Sequence, residues 1–161
     1  MSSRYNTTMP SRLLLLLLPL VCSIASAQPD TSPVKLGLIV PLTGPWARQG
    51  QVMRVGAEMA IEHINQRGGI AALGGRQVEL LVFDTGDSVE RASNAAQRMV
   101  AENPDLVGVT GSYLSSFTLA VSEVTERAEL PMLTLSYSDL ITGRGFNYIF
   151  QTSPTLSLIH I

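Results

Sequence analysis

Cysteine is nearly absent: the 161 residues hold one, Cys22, inside an apolar N-terminal run. That excludes a disulfide framework, a CxxC redox centre and a thiolate metal site. Histidine is almost as scarce, with only His63 and His160. A hydrolytic centre needs a nucleophile with a base, a carboxylate pair or a set of metal ligands. His63 has Glu62 beside it, but adjacent residues on a helix do not face each other. Asp84 and Asp87 stand at the mouth of a strand pattern and the start of a helix pattern, where carboxylates cap loops. No G-x-S-x-G elbow, G-x-G-x-x-G fingerprint or P-loop occurs, so neither catalysis nor a metal nor a cofactor is expected. Charged residues make up 15% of the chain and form no basic stripe, so nucleic acid is not an expected partner.

Long hydrophobic runs are missing too, with one exception. Arg4 and Arg12 precede the leucines at 13–18, and Ala25-Ser26-Ala27 then supplies the small residues of a cleavage site. The run is too short to cross a bilayer comfortably and has the pattern of a signal peptide over 1–27, cleaved after Ala27. Leu20 and Val21 ahead of Cys22 are too large for a lipoprotein cleavage motif. The expectation is an exported protein of the periplasm. Without Arg4 and Arg12, 9 basic residues stand against 13 acidic ones, a formal charge of −4. Residues 28–33 form a polar, proline-containing leader, and the rest suffices for one α/β domain.

From there the pattern alternates between strand and helix. Residues 34–40 are a near-continuous apolar run, the look of a strand buried on both faces. Over 50–66, Met53, Ala57, Ala60, Ile61 and Ile64 make a helical stripe, which Gly68 and Gly69 end. Residues 77–83 read as a second strand. Asp87 and Glu90 stand at capping-box spacing, opening a helix that buries Val89, Ala92, Ala96, Met99 and Val100 and stops before Pro104. Strands follow at 106–110, 132–135 and 148–152. Between the first two of these, Phe117, Ala120, Val121, Val124 and Ala128 mark a helix over 116–129. Helices of this length between strands imply βαβ units, right-handed crossovers and a doubly wound, mostly parallel α/β sheet.

Three loops follow strand C-terminal ends and carry small polar or aromatic residues: Thr43-Gly44-Pro45-Trp46, Ser112-Tyr113-Leu114-Ser115-Ser116 and Ser136-Tyr137-Ser138-Asp139. In a doubly wound sheet all three open on one edge, the edge where ligands bind. They offer hydroxyls, backbone N–H groups and an aromatic wall, with no cation among them. Ser115 or Ser116 is the expected N-cap of the third helix. Its first turn is either simply capped by those serines or a site for a carboxylate, because unpaired N–H groups and the helix dipole both favour an anion.

The order of these motifs resembles one family. Leu38-Ile39-Val40-Pro41-Leu42-Thr43-Gly44-Pro45 is similar to the opening strand and loop of type I periplasmic binding proteins for branched-chain amino acids and amides. Residues 56–65, followed by Gly68-Gly69-Ile70, resemble their first helix and its glycine exit. Asp84-Thr85-Gly86-Asp87, the stretch 108–116, Leu130-Pro131 and Thr142-Gly143-Arg144-Gly145-Phe146 complete the likeness, which spans about 34–154. It implies a two-lobed receptor whose cleft closes on a small polar solute, an amino acid or amide, and delivers it to the permease of an ABC importer. Residues 34–155 would be most of the N-terminal lobe. The resemblance makes Ser115 the carboxylate-binding serine, with Tyr113 and Leu114 lining the pocket. It makes Ser136 and Ser138 the pair that holds the amino group, through a backbone carbonyl and a hydroxyl. Ser116, Tyr137 and Trp46 join them on the same polar and aromatic surface.

Two departures stand out. The third loop is more polar than the family's alanine-rich version, and Trp46 replaces a smaller residue; both point away from a plain leucine, isoleucine or valine ligand. The acidic partner of the amino group belongs to the second lobe. The alternative role is the sensing lobe of a membrane receptor. The last six residues, 156–161, lack turn or cap logic and read as a non-native tail on a longer native chain. A lobe alone should bind solute only weakly, because a half-cleft leaves the ligand wet, and its open faces should favour aggregation.

Overall fold

The computed structural model describes residues 31–156. The signal peptide expected over 1–27, its cleavage site, His160 and residues 157–161 lie outside the described residues. The chain runs β1 (Val34–Val40), α1 (Ala47–Gln66), a short 3₁₀ turn (Ala71–Leu73), β2 (Val78–Asp84), α2 (Val89–Glu102), β3 (Leu106–Gly111), α3 (Ser115–Arg127), β4 (Met132–Thr134) and β5 (Ile149–Gln151).

All five strands are parallel, in the order β2-β1-β3-β4-β5. β1 and β2 pair without interruption from Val34 opposite Val78 to Val40 opposite Asp84. Between β1 and β3 the register shifts at Lys35/Leu36, so Val107 has no partner on β1 and stays exposed. Each crossover must be right-handed, and the chain reverses direction across the sheet after β2. α1 therefore lies on one face, and α2 and α3 on the other.

The core is on the α2–α3 side. Ile39, Val109, Met132 and Ile149 project from the strands against Ala92, Ala95, Ala96 and Met99 of α2 and Phe117, Val121 and Val124 of α3. The small side chains of α2 let that helix lie close to the sheet. α3 buries Phe117, Val121 and Val124 as expected, but its buried face is wider on one side: Thr118, Ser122 and Thr125 are inside too, while Ala128 is exposed. Val89, expected in the core, is also exposed, since it is the first residue of α2.

The opposite face is only half covered. α1 sits over β1 and β2, and its Met53, Ala57, Ile61 and Ile64 are partly buried while Ala60 is exposed. Ala57, Ala60, Ile61 and Ile64 flank an apolar cavity of about 320 Å³ that continues over Leu36, Leu80 and Gly108 to Leu133. Beyond it Leu135 and Phe150 are exposed.

Helix starts differ from the sequence expectation for identifiable reasons. α1 begins at Ala47 with Trp46 at its cap, and no side chain bonds there to mark it. The cap of α2 is Ser88, one residue after Asp87; its hydroxyl accepts from the Arg91 N–H at 3.2 Å, and Asp87 pairs with the Arg91 guanidinium at 3.0 Å. α3 begins at Ser115 with Leu114 at the cap, so neither serine caps it.

Gly50 is buried in the first turn of α1, where a Cβ would fall inside the Pro41 carbonyl. Gly56 in the same helix has open space around it. Gly50→Ala should therefore destabilise by about 2–3 kcal/mol through overpacking, whereas Gly56→Ala should stabilise by about 0.5–1 kcal/mol through helix propensity. Urea denaturation midpoints of the two variants check both signs.

Candidate ligand-binding site

In a sheet of order 2-1-3-4-5 the chain leaves β1 and β3 in opposite directions, and the crevice outside their C-terminal ends is where ligands bind. The loop after β1, residues 41–46, and the loop after β3, residues 112–114, meet at this point.

The first loop is anchored by Asp84 at the end of β2. Its carboxylate accepts from the Leu42 N–H (2.8 Å), the Thr43 hydroxyl (2.7 Å) and the Gly86 N–H (2.8 Å). Partial burial works to raise the pKa of this group, but the Thr43 hydroxyl and the backbone N–H groups outweigh it and hold it below the usual carboxylate value. The carboxylate is thus a structural anchor facing its own loop, as its place at a strand mouth suggested.

The second loop leaves β3 through Gly111, at φ 142°, where a Cβ would collide with the Ile39 carbonyl. The Gly111–Ser112 peptide is cis. Tyr113 then adopts a left-handed φ of 79°, which costs a non-glycine residue about 1–3 kcal/mol. A chain of buried hydroxyls holds this conformation. The Ser112 N–H donates to Thr118 Oγ1 (3.3 Å), Thr118 Oγ1 lies 2.7 Å from Ser136 Oγ, and Ser136 Oγ donates to the Tyr113 carbonyl (3.1 Å). Thr134 joins them, donating to Ser136 Oγ at 3.1 Å and accepting from the Ser136 N–H at 3.1 Å. The Ser112 hydroxyl is also buried and has no partner among the described residues.

The Tyr113 ring does not enter the core. It lies against Trp46, with ring centroids 6.0 Å apart and planes tilted by 48°, and each of the two residues is 40% exposed. Arg48, Gln49, Val52 and Met53 of α1 border a hollow of about 220 Å³ beside Tyr113.

Next to this pair is the start of α3. Leu114 supplies no side-chain acceptor, and the first intrahelical bond runs from the Thr118 N–H to the Leu114 carbonyl (2.9 Å). The N–H groups of the first turn, beginning at Ser115, precede that bond, and the positive end of the helix dipole adds to their pull on an anion.

The remaining expected residues are placed differently from one another. Ser136 is fully enclosed, its hydroxyl on Tyr113 and its carbonyl accepting from Gln151 Nε2 (2.5 Å) and Ser153 Oγ (3.1 Å). Tyr137 is exposed, and the Ser138 hydroxyl accepts from the Leu140 N–H at 3.3 Å. Leu114 packs against the core, and Ser116 borders a groove between α2 and α3 together with Ser93 and Leu119. The structure therefore joins Trp46 to Tyr113, and Tyr113 to Ser136, and places Ser115 on the neighbouring turn. Thr118 and Thr134 escaped notice in the sequence. The available signal was the spacing of Thr118, Ser122 and Thr125, a hydroxyl stripe inside an otherwise apolar helix face.

Among the described residues no cluster of histidine, cysteine, aspartate or glutamate could hold a metal ion, and no helix is long and apolar enough to cross a membrane.

Residues 33–158 match the family model described as periplasmic binding protein. The chain belongs to this family. It is a type I periplasmic binding protein of the branched-chain amino acid group, a family of solute-binding proteins and not of enzymes. A Leu/Ile/Val-binding protein homolog 7 of Brucella melitensis is 33% identical over 143 residues, 87% of this chain and 34% of the relative. The branched-chain amino acid transporter protein LivJ of Streptococcus pneumoniae, solved in complex with isoleucine, superposes with a TM-score of 0.71 at 25% identity. That match covers 77% of this chain and 34% of LivJ. A solute-binding protein of an ABC transporter from Rhodopseudomonas palustris, in complex with 3,4-dihydroxybenzoic acid, gives 0.67 at 25% identity over 78% of this chain and 33% of that one. The chain thus spans about a third of the length of the relatives it matches, and the parallel α/β lobe is the part shared. The family places the binding protein outside the cytoplasm.

Because its folded pKa is depressed, Asp84 contributes stability that is present above its unfolded pKa and is lost as pH falls through the folded one. Asp84→Asn should therefore be less stable than the parent near neutral pH, and the gap should narrow as the pH falls below the usual carboxylate range. Urea denaturation of both proteins across that range checks it.

Proposed function

We propose that the complete protein is the extracytoplasmic solute receptor of an ABC importer, exported by the signal peptide at 1–27. In this reading residues 34–155 form its N-terminal lobe, and a second lobe closes over the ligand and presents it to the permease. The ligand is an amino acid or a related small polar carboxylate. The observation that carries this reading is the α3 start without a side-chain cap, standing beside the Trp46–Tyr113 pair at the switch point of the sheet. A carboxylate there accepts from first-turn N–H groups and the Ser115 hydroxyl, without a cation among the loop residues. Ser138 and Tyr137 on the adjoining loop offer further polar contacts, while Ser136 acts from beneath. The named relatives, a Leu/Ile/Val-binding homologue and proteins holding isoleucine or 3,4-dihydroxybenzoic acid, all support a small carboxylate.

Ser115→Pro tests the carboxylate site with little cost to the fold. Proline is accepted at the first helical position, and Leu114 before it already has the extended ψ of 135° that a following proline requires. The substitution removes both the N–H and the hydroxyl. Calorimetric titration of the full-length receptor with a panel of amino acids and small carboxylates should show affinity falling by about tenfold or more, roughly 1.4 kcal/mol, with the thermal midpoint little changed. Unchanged affinity would overturn the site.

A further inference from the structure

Resting on that carboxylate site, we propose that Trp46 and Tyr113 set its selectivity toward flat, ring-bearing carboxylates over branched aliphatic ones, with Thr118 and Ser136 as positioning residues for Tyr113. Three observations combine. First, Tyr113 occupies a left-handed backbone conformation that glycine or asparagine adopts more readily. The side chain is therefore present for something other than the turn.

Second, the buried hydroxyl relay begins at the Ser112 N–H and ends at the Tyr113 carbonyl. It holds the Gly111–Ser112 peptide at one end and the Tyr113–Leu114 peptide at the other, and so restrains the two-residue turn that carries the ring. The proton order is consistent along its length: Thr118 accepts from the backbone, which leaves its hydroxyl to donate to Ser136, whose own proton goes to the carbonyl. Burying such a relay is costly unless every member is paired, and these members are.

Third, the ring so aimed is not used to fill the core. At a tilt of 48° the indole and phenol meet obliquely rather than face to face, and each residue keeps exposed surface. Two inclined π faces beside an anion-binding helix start suit a planar group attached to a carboxylate.

The test uses the full-length receptor, with L-phenylalanine and 4-hydroxybenzoate as ring probes and L-leucine and L-valine as aliphatic ones. In the parent at least one ring probe should bind tighter than both aliphatic ones, and which ring probe wins distinguishes an aromatic amino acid from an aromatic acid. Tyr113→Leu and Trp46→Leu should each weaken the ring probe by about tenfold while leaving the aliphatic probes within about threefold. Thr118→Val, which breaks the relay without changing shape, should shift the ring-to-aliphatic ratio in the same direction, and Thr118→Ser should restore it. A purely structural role for Thr118 would lower both affinities in parallel and leave the ratio alone. Tighter binding of leucine or valine by the parent, or parallel losses in the Tyr113 and Trp46 variants, would overturn the proposal. Ser115→Pro separates the two levels. If it abolishes binding while Tyr113→Leu leaves the preference unmoved, selectivity alone fails; if it has no effect on any probe, the carboxylate site itself fails.

Discussion

β1 is hydrogen-bonded on both sides, to β2 along one edge and β3 along the other, and the ligand edge depends on that double pairing. Order in the chain and order in space part company there. Because both crossovers are right-handed, α1 goes to one face and α2 to the other, and the gap between the ends of β1 and β3 is filled by neither. The loop carrying Trp46 and the turn carrying Tyr113 come together only because these two strand ends are neighbours. Gly50 and Gly111 are where the backbone passes close enough to permit it, one against the Pro41 carbonyl and the other against that of Ile39.

The sheet was the most legible part of the sequence. β1 lies at the bounds its apolar run indicated, since a strand buried on both faces leaves a continuous signal. Helix starts were harder, because the cap residues of α1 and α3 are Trp46 and Leu114, which carry no capping chemistry to read. Asp87 was a reasonable candidate for α2, but Ser88 had the right geometry and Asp87 found an arginine instead. At the ligand edge, the loops and their residue types were visible, and so was the departure at Trp46. The pairing of Trp46 with Tyr113 was not, since these residues are 67 positions apart and only the strand order joins them. The enclosure of Ser136 was likewise hidden. Its fate depends on Thr118 of α3 facing inward, a widening of the buried face that the helix's apolar positions alone left open.

The expected site residues at this edge are uncharged, and the cation that borders the hollow beside Tyr113 is Arg48 of α1. The Asp84 carboxylate is spent on its own loop, and the Thr118, Thr134 and Ser136 hydroxyls beneath Tyr113 are paired with each other. What faces outward is a helix start and aromatic surface. Such groups bind without the large desolvation cost that a buried ion pair imposes, and they depend on fixed geometry for their strength. The rigid scaffold below and the variable loops above divide the labour: parallel strands hold position, and loop residues supply the recognition.

Trp46 is the one tryptophan in these 161 residues, and it stands in contact with Tyr113 at the mouth of the crevice. The chain therefore carries its own optical probe, installed where a solute would arrive. Its ultraviolet emission reports polarity and quenching at that spot alone, since no second indole in this stretch dilutes the signal. A dye-free fluorimeter trace of the lobe is thus a local reading of one loop, and light absorbed by the adjacent phenol reaches the same indole emission by energy transfer, so the excitation spectrum reports whether the two rings stay together.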